Sequence, residues 1–453
     1  MPTDLVLNAY TRFSQDSPSI AALPGGGFVA VWDDGDQDVG RNGFDGFNGV
    51  YGRVFDGNGA PVTPEFRVAQ DTYNQQFSGR VVALPDGSFV VAWDSNGVDR
   101  NNVDNDINVY VRRFTVGNGA VVPAGPQTQI TPDRPAGNPN GFFDQYLNDL
   151  VALPDGGFRV VYTASNVRTD WSVYTQAFDA RGQRVGGEGQ MNSAVDTGLA
   201  RAGVTRTPGY QLLPLGDGGF WATYWEQSGT FPLGDQVWLQ RHDAAGAPVG
   251  GRLLVSAPGD RNDNTYPSIT ALDGGRFAIA WRDRDDNDLD NFDAYVRTFD
   301  AAGTALSAPV RINTDLVDSQ QPGAVVALPG GYFLASYASF DRRASSADLF
   351  DARARLFSPA GQPLTGAFDV SEFVYEDLSS LVGQRLADGR IAFAWSGGGS
   401  IDEDVYGTVL GAADQPTVVL QGGAGDDVLA TTPFLDLADG GPGRDTVALG
   451  VGL

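Results

Sequence analysis

The chain has 453 residues, roughly three times an ordinary domain, so it holds either several domains or one large repetitive domain. Its 56 acidic and 30 basic residues give a net charge of -26, which argues against binding nucleic acid or an anionic membrane surface. The absence of cysteine excludes disulfides and cysteine zinc sites, and the single histidine excludes a multi-histidine metal site. No uninterrupted apolar run is long enough to span a membrane.

Nearly all of the negative charge is aspartate. Of the 56 acidic residues, 50 are Asp, and every basic residue is Arg. The six glutamates are Glu65, Glu188, Glu226, Glu372, Glu376 and Glu403. Aspartate forms turns and coordinates hard cations through loops, whereas glutamate is more typical of helices. The composition therefore favours a turn-rich β protein with cations as partners.

One pattern recurs seven times between residues 21 and 398, with a period of 56 to 69 residues. It consists of an apolar strand, a tight Pro/Asp/Gly turn and a second strand with two aromatic residues four positions apart. The pairs are Phe28/Trp32, Phe89/Trp93, Phe158/Tyr162, Phe220/Tyr224, Phe277/Trp281, Phe333/Tyr337 and, with Ile replacing Phe, Ile391/Trp395. The Trp-Asp dipeptides at 32–33 and 93–94 do not indicate WD repeats, because the Gly-His element is absent and the period is too long.

Each unit continues with a third and a fourth strand. Residues 50–56 (VYGRVFD) and 294–300 (AYVRTFD) are examples of the third, and residues 66–71 (FRVAQD) are an example of the fourth. Four short antiparallel strands repeated radially are typical of propeller blades, because one such sheet cannot bury both faces alone. We therefore predict an all-β fold, a seven-bladed β-propeller of four-stranded antiparallel blades over residues 1–415.

The seventh unit has no clear fourth strand of its own after residues 405–410. Residues 5–10 (LVLNAY) align with the fourth strands at 66–71 and 310–315. We therefore predict that the N-terminal strand closes the last blade, which removes an exposed sheet edge. The alternative is that residues 416–420 (PTVVL) supply the missing strand.

The composition changes after Gly411. The nonapeptide G-G-x-G-x-D-x-U-x, with U apolar, occurs at 422–430 and 440–448, so the two copies start 18 residues apart. Its glycines allow tight turns whose carbonyls face a cation, its Asp adds a carboxylate, and its apolar residue packs inside a parallel β-roll. Residues 416–453 are therefore predicted to form a short β-roll segment that binds calcium. The expected ligand loops contain Gly422, Gly423, Gly425, Asp427, Gly440, Gly441, Gly443 and Asp445.

These nonapeptides resemble the hemolysin-type calcium-binding repeats of RTX proteins. The upstream units, such as GGFRVVY followed by VYTQAFD, resemble β-propeller repeats of bacterial RTX-type secreted proteins. The resemblance implies Ca²⁺ as the cofactor and an extracellular location reached by type I export, which uses an uncleaved C-terminal signal. The N-terminal residues, which lack a basic start and a long apolar run, agree with the absence of a cleavable signal.

The connections between second and third strands are long and acidic, and a propeller gathers them on one face, where binding commonly resides. Their alternately spaced aspartates suit convergence on calcium. The other interpretation is a solvated acidic rim. The candidate ligands are Asp34, Asp36, Asp38, Asp104, Asp106, Asp286, Asp288 and Asp290.

Aromatic and arginine side chains in the connections suit stacking on sugar rings or pairing with uronate carboxylates, or else they cover the ends of blades. They are Arg41, Phe44, Phe47, Arg100, Trp171, Phe231, Phe292 and Phe340. His242 occupies a position that other blades fill with Phe, so we expect it in the core and not in catalysis.

The main functional prediction is a secreted, calcium-dependent binding or adhesion module for a polysaccharide or a cell-surface or matrix component, monomeric as a propeller. One alternative is a polysaccharide hydrolase or lyase on a propeller scaffold, and another is a structural spacer of a larger RTX protein. No pair of carboxylates stands out as a catalytic dyad. The sequence therefore assigns no catalytic residue and favours a protein that is not an enzyme.

Overall fold

The protein is an all-β propeller of seven blades arranged around a central channel. The computed structural model describes residues 3–38, 47–70, 75–96, 107–131, 144–165, 171–191, 209–227, 234–257, 264–284, 292–315, 319–341, 349–399, 402–411, 414, 418–421, 428–430, 436–439, 443–444 and 446–448. Within them, each blade is an antiparallel sheet of four strands, with one short extra strand in blade 2. The predicted fold class is confirmed.

The first four blades contain strands β2 to β18, numbered along the chain. Blade 1 is β2 (Gln15–Ala22), β3 (Phe28–Asp38), β4 (Phe47–Phe55) and β5 (Phe66–Arg67). Blade 2 is β6 (Gln76–Ala83), β7 (Phe89–Ser95), β8 (Asn108–Gly117), β9 (Ala120–Pro123) and β10 (Thr128–Gln129). Blade 3 is β11 (Gln145–Ala152), β12 (Phe158–Ser165), β13 (Trp171–Phe178) and β14 (Arg184–Gln190). Blade 4 is β15 (Gln211–Pro214), β16 (Phe220–Gln227), β17 (Asp235–His242) and β18 (Pro248–Leu254).

The last three blades contain β19 to β29 together with the N-terminal strand β1 (Leu5–Val6). Blade 5 is β19 (Thr265–Ala271), β20 (Phe277–Arg284), β21 (Phe292–Phe299) and β22 (Val310–Arg311). Blade 6 is β23 (Gln320–Ala327), β24 (Phe333–Asp341), β25 (Leu349–Phe357) and β26 (Phe368–Asp369). Blade 7 is β27 (Asp377–Arg385), β28 (Ile391–Gly399), β29 (Asp402–Leu410) and β1. Single 3-10 turns lie at Asp273–Gly275 and Pro329–Gly331.

The aromatic pairs of the second and third strands lie opposite each other. In blade 1, Phe28 faces Phe55 and Trp32 faces Tyr51, and the rings of Phe28 and Phe55 stack with centroids 4.9 Å apart. Residues four apart on a strand share a face, so each blade presents one aromatic surface to its neighbour. These aromatic surfaces form much of the core between blades.

His242 takes its expected place in that aromatic core. It is 2% exposed and stacks on Phe220 with ring centroids 5.1 Å apart. Its Nδ1 lies 2.8 Å from the carbonyl oxygen of Gly246. Burial lowers the pKa of this imidazole, which favours its neutral form. The prediction that His242 belongs to the core is confirmed.

The N-terminal strand closes blade 7. In the antiparallel pairing of β1 with β29, Leu5 lies opposite Gly407. Leu7 is fully buried, and the side-chain oxygen of Asn8 accepts the backbone N–H of Val405 at 2.9 Å. The predicted closure is confirmed.

The C-terminal strands pair in parallel. Strand β30 (Val418–Gln421) pairs with β32 (Asp436–Asp439), and β31 (Val428–Ala430) pairs with β33 (Thr446–Ala448). Val418 lies opposite Asp436, an offset that equals the spacing of the two nonapeptides. Residues 418–421 therefore do not supply the fourth strand of blade 7, which was the alternative to N-terminal closure. Among the described residues, no helix has the length and apolarity needed to cross a membrane.

Candidate functional site

The first strand of each blade lines the central channel, and most of these strands contain a β-bulge near their first residues. The pairing register shifts between Asp16 and Ser19 in blade 1 and at corresponding places in blades 2, 3, 5, 6 and 7. Ser17, Ser78, Tyr266 and Ser380 have φ between 52° and 59° in these bulges. The left-handed conformation costs a residue other than glycine about 1 kcal/mol, so neighbouring groups must hold it in place. The bulges surround the channel mouth on the face from which the long connections leave.

The inner strands enclose a cavity of about 650 Å³. Its polar and charged wall includes Arg80 and Asp149 on blades 2 and 3, Gln211 on blade 4, and Arg282 on blade 5. The volume falls in the range of about 300–1,000 Å³ that is usual for ligand sites. The channel mouth is therefore the candidate functional site among the described residues.

Three aspartates, of which Asp33 and Asp94 are buried and Asp149 is half-buried, connect blades 1 to 4 around this cavity. Asp33 on blade 1 accepts the backbone N–H groups of Ser78 at 2.7 Å and Gly79 at 3.2 Å on blade 2. Asp94, at the equivalent position on blade 2, accepts the N–H of Leu147 on blade 3 at 2.8 Å.

Asp149 extends this chain of contacts from blade 3 to blade 4. It accepts the N–H of Leu212 on blade 4 at 2.8 Å and that of its own neighbour Leu150 at 2.9 Å. Each of the three carboxyl groups thus accepts one or more backbone N–H groups of the first strand of the following blade. The acidic groups at the channel mouth therefore hold adjacent blades together.

Burial changes the protonation of these groups. Desolvation raises the pKa of Asp33 to about 7 and that of Asp149 to about 6, and it raises the pKa of Asp94 well above its ordinary value. The backbone donors and the positive charge of Arg80 lower the same pKa values, but by less than desolvation raises them. Asp149 is the one of the three that lines the cavity. It places a carboxyl group that is partly protonated near neutral pH against the cavity.

Arg80 lies close enough to the three aspartates for its charge to affect all of their pKa values. It is half-buried and lines the cavity, and its charge acts on Asp33, Asp94 and Asp149. Its guanidinium makes no hydrogen bond or ion pair with any residue that the structure describes. The three aspartates instead accept backbone N–H groups.

A stacked cluster of Arg282, Tyr266 and Phe292 forms the blade 5 side of the mouth. The guanidinium carbon of Arg282 lies 4.6 Å from the ring centroid of Tyr266 and 4.1 Å from that of Phe292. Its Nε donates to the hydroxyl of Thr265 at 3.3 Å. Tyr266 is 54% exposed, which is unusual for a large aromatic residue in this protein. The cluster offers a sugar ring an aromatic surface next to a fixed cation.

Two sequence-predicted aromatic candidates have different environments. Phe292 belongs to the stacked cluster at the mouth. Phe340 is 9% exposed and packs on Phe350 with ring centroids 4.6 Å apart, so it covers the end of blade 6. The other candidates, Arg41, Phe44, Arg100 and Phe231, together with the side chains of Phe47 and Trp171, lie outside the described residues.

Of the predicted calcium ligands in the connections, Asp34 is described in full. It is 1% exposed, and its Oδ1 accepts the backbone N–H of Gln37 at 2.8 Å, which closes a local turn. The backbone of Asp36 and Asp38 belongs to β3, but their side chains lie outside the described part of the chain. Asp104, Asp106, Asp286, Asp288 and Asp290 also lie outside it.

Of the tail ligands, Gly443 is described, and it is exposed. Gly422, Gly423, Gly425, Asp427, Gly440, Gly441 and Asp445 lie outside the described residues. Among the residues that are described, no group of three or more His, Cys, Asp or Glu side chains is arranged to hold a metal ion. Calcium binding by either set of loops stays a prediction.

Sequence reasoning missed Arg80, Asp149 and Arg282, which line the cavity, and Asp33 and Asp94, which connect adjacent blades. Asp33, Asp94 and Arg282 each directly follow the tryptophan of the second-strand aromatic pair. A comparison of that single position across the seven units would have identified them. Arg80 and Asp149 follow bulges of the inner strands, and bulges have no clear signature in the sequence.

Comparisons with known proteins support the fold. A scan against protein-family models finds no match, and a search of curated proteins finds none. A solved protein of unknown function from Dyadobacter fermentans is 13% identical with a TM-score of 0.50, and the match covers 90% of this chain and 97% of that chain. An α-L-arabinofuranosidase from Fusarium graminearum is 10% identical with a TM-score of 0.45, covering 75% of this chain and 94% of that chain. An α-L-arabinanase from Penicillium chrysogenum is 13% identical with a TM-score of 0.45, and the match covers 72% of this chain and 90% of that chain. At these identities the similarity concerns the fold alone.

Proposed function

We propose that the protein is a polysaccharide hydrolase that acts at the mouth of its central channel. The observation that carries this proposal is Asp149, a carboxyl group in the cavity wall whose pKa burial raises to about 6. Glycoside hydrolysis needs an acid that is still protonated near neutral pH, and enzymes obtain one by desolvating a carboxyl group.

In this mechanism Asp149 donates its proton to the glycosidic oxygen as the bond from that oxygen to the anomeric carbon breaks. Water supplies a hydroxyl group to the anomeric carbon. In an inverting reaction a second carboxylate takes the remaining proton of that water. In a retaining reaction the second carboxylate first forms a covalent intermediate, and the ionised Asp149 takes the proton of the water that hydrolyses it. We assign no residue to the second role. The positive charge of Arg80 stabilises the carboxylate that Asp149 becomes after it has given up its proton.

The test is release of reducing ends from a panel of acidic and neutral polysaccharides. Arabinan belongs in the panel, because two of the structurally similar propellers are named as arabinofuranosidase and arabinanase. We expect Asp149→Asn to lower turnover by about 100-fold or more. Asp33→Asn is the matched control, since Asp33 is likewise a carboxyl group whose pKa desolvation raises and which accepts backbone N–H groups, but it does not line the cavity. Full turnover by a folded Asp149→Asn variant would refute the assignment.

The second candidate function is polysaccharide binding without turnover. The stack of Tyr266, Arg282 and Phe292 favours it, because an exposed aromatic surface beside a cation recognises sugars without any chemistry. Retention on a polysaccharide with neither reducing nor unsaturated ends released would support this function over hydrolysis. Unsaturated ends would instead indicate a lyase.

We also propose that residues 416–453 bind calcium between the two nonapeptide loops and that the protein is exported by a type I system. The parallel pairing of strands that lie 18 residues apart supports the calcium proposal, because this offset equals the spacing of the two nonapeptides. Appearance of the chain in the medium only when a type I exporter is present would support export.

A further inference from the structure

We propose that the polysaccharide is acidic, and that Arg80 and Arg282 bind the anionic group of a sugar that enters the channel mouth. The chemistry they share is recognition of an oxyanion, either a uronate carboxylate or a sulfate ester. This inference rests on the proposed function for the location of the site, and it adds the class of sugar.

The first argument is the environment of Arg80. Arg80 is half-buried and lines the cavity, and its guanidinium makes no hydrogen bond or ion pair with a described residue. Its donors are therefore available to a ligand in the cavity. An oxyanion there would accept two parallel hydrogen bonds from the guanidinium.

The aspartates near Arg80 already have other partners. Asp33 and Asp94 accept backbone N–H groups of the following blades, and neither lines the cavity. Asp149 lines it, but both of its oxygens accept backbone N–H groups. The three aspartates therefore act on the charge of Arg80 without forming an ion pair with it, which leaves its guanidinium able to bind and release an anionic ligand.

The second argument is the orientation of Arg282. The guanidinium packs against the rings of Tyr266 and Phe292, which fixes its position at the mouth, and the hydrogen-bond donors of a guanidinium lie at its edge. Blade 5 places this cation where blades 1 and 2 place Asp33 and Asp94, directly after the tryptophan of the second strand. The charge at that position is therefore reversed on the side of the mouth where Tyr266 is exposed. A pyranose ring on Tyr266 would bring its anionic substituent to Arg282.

The net charge of -26 does not oppose this assignment. At physiological ionic strength, exposed charges more than about 8 Å apart are largely screened from each other. Recognition of one sugar unit in the mouth depends on the groups in contact with it, and two arginines line that cavity.

Calorimetric titration with three probes tests the proposal: oligogalacturonate, a sulfated dextran oligomer and a neutral arabino-oligosaccharide. We expect one of the anionic probes to bind, and Arg80→Gln and Arg282→Gln each to weaken its binding about tenfold or more. Arg181→Gln is the matched control, since this exposed residue lies in the turn between the third and fourth strands of blade 3, on the opposite face. Melting curves establish whether each variant is folded. If Arg80→Gln does not fold, the binding measured with Arg282→Gln decides the test.

Each result has a distinct meaning. Binding of oligogalacturonate alone identifies a uronate, and binding of the sulfated probe alone identifies a sulfate ester. If the neutral probe binds as well as both anionic ones and the Arg variants bind normally, the acidic-sugar inference is overturned while the hydrolase proposal stands. If no probe binds and no polysaccharide in the panel is cleaved, both are overturned.

Discussion

The carboxylate of Asp33 on blade 1 accepts the backbone N–H of Ser78 on blade 2 at 2.7 Å, and Ser78 has a φ of 59°. A left-handed serine in a strand leaves its N–H without a ladder partner, and the neighbouring blade supplies the acceptor. At the interface of blades 6 and 7, Ala338 replaces this Asp and shares an apolar cluster with Leu378 and Leu381. The same bulge is thus stabilised by a carboxylate in one part of the ring and by apolar packing in another.

The first prediction is that Asp33→Ala destabilises the propeller by about 2–4 kcal/mol, because it leaves two buried N–H groups without an acceptor. The measurement is the urea midpoint followed by tryptophan fluorescence, which Trp32 should report. Asp86→Ala is the control, since Asp86 lies in an exposed turn and pairs with Arg113, and we expect a loss below about 1 kcal/mol. Equal urea midpoints for Asp33→Ala and the wild type would show that the contact of Asp33 with blade 2 does not stabilise the protein.

The second prediction concerns pH. In the folded protein the pKa of Asp33 rises from 3.8 to about 7, so the folded state binds this proton more tightly than the unfolded state. Its contribution to stability is therefore complete below about pH 4 and is lost as the pH rises toward 7. As the pH rises from 4 to 8, the melting temperature of the wild type should fall, and that of Asp33→Asn should fall less. Parallel curves for the two proteins would show that Asp33 does not titrate in this range.

The fold was predictable because the aromatic pairs repeat at nearly constant spacing, and because residues four apart on a strand point to the same side. The candidate site was not predictable, because adjacent residues of a strand face opposite sides and the sequence does not show which of two neighbouring acids faces the next blade. Asp33 and Asp34 are adjacent, so they face opposite sides of the blade: the former meets Ser78, and the latter closes a turn with Gln37. In the sequence both are merely acids at the end of a strand. The contacts across blades depend on bulges that the pattern of apolar residues does not reveal.

The third prediction concerns closure of the ring. Leu7→Ala should cost about 2–5 kcal/mol, because Leu7 is fully buried among residues of blades 7 and 1. Val6→Ala is the control, since Val6 is 48% exposed, and its effect should be several-fold smaller. Urea unfolding of the two variants side by side provides the measurement. If both shift the midpoint equally, the N-terminal strand does not act through its buried side chain.

The fourth prediction is that calcium stabilises the C-terminal segment independently of the propeller. Calcium is held by carboxylate and carbonyl oxygens, and a cation that binds the folded form stabilises it as the cation concentration rises. Scanning calorimetry with calcium and with a chelator should show one transition that moves to lower temperature on chelation. Asp427→Asn with Asp445→Asn should weaken the response to calcium about tenfold, whereas Asp414→Asn should not, because Asp414 precedes both nonapeptides and accepts the N–H of Gly411. A calorimetric trace that chelation leaves unchanged would count against calcium in this segment, and a response that survives in the double variant would direct the search to the aspartates of the long connections.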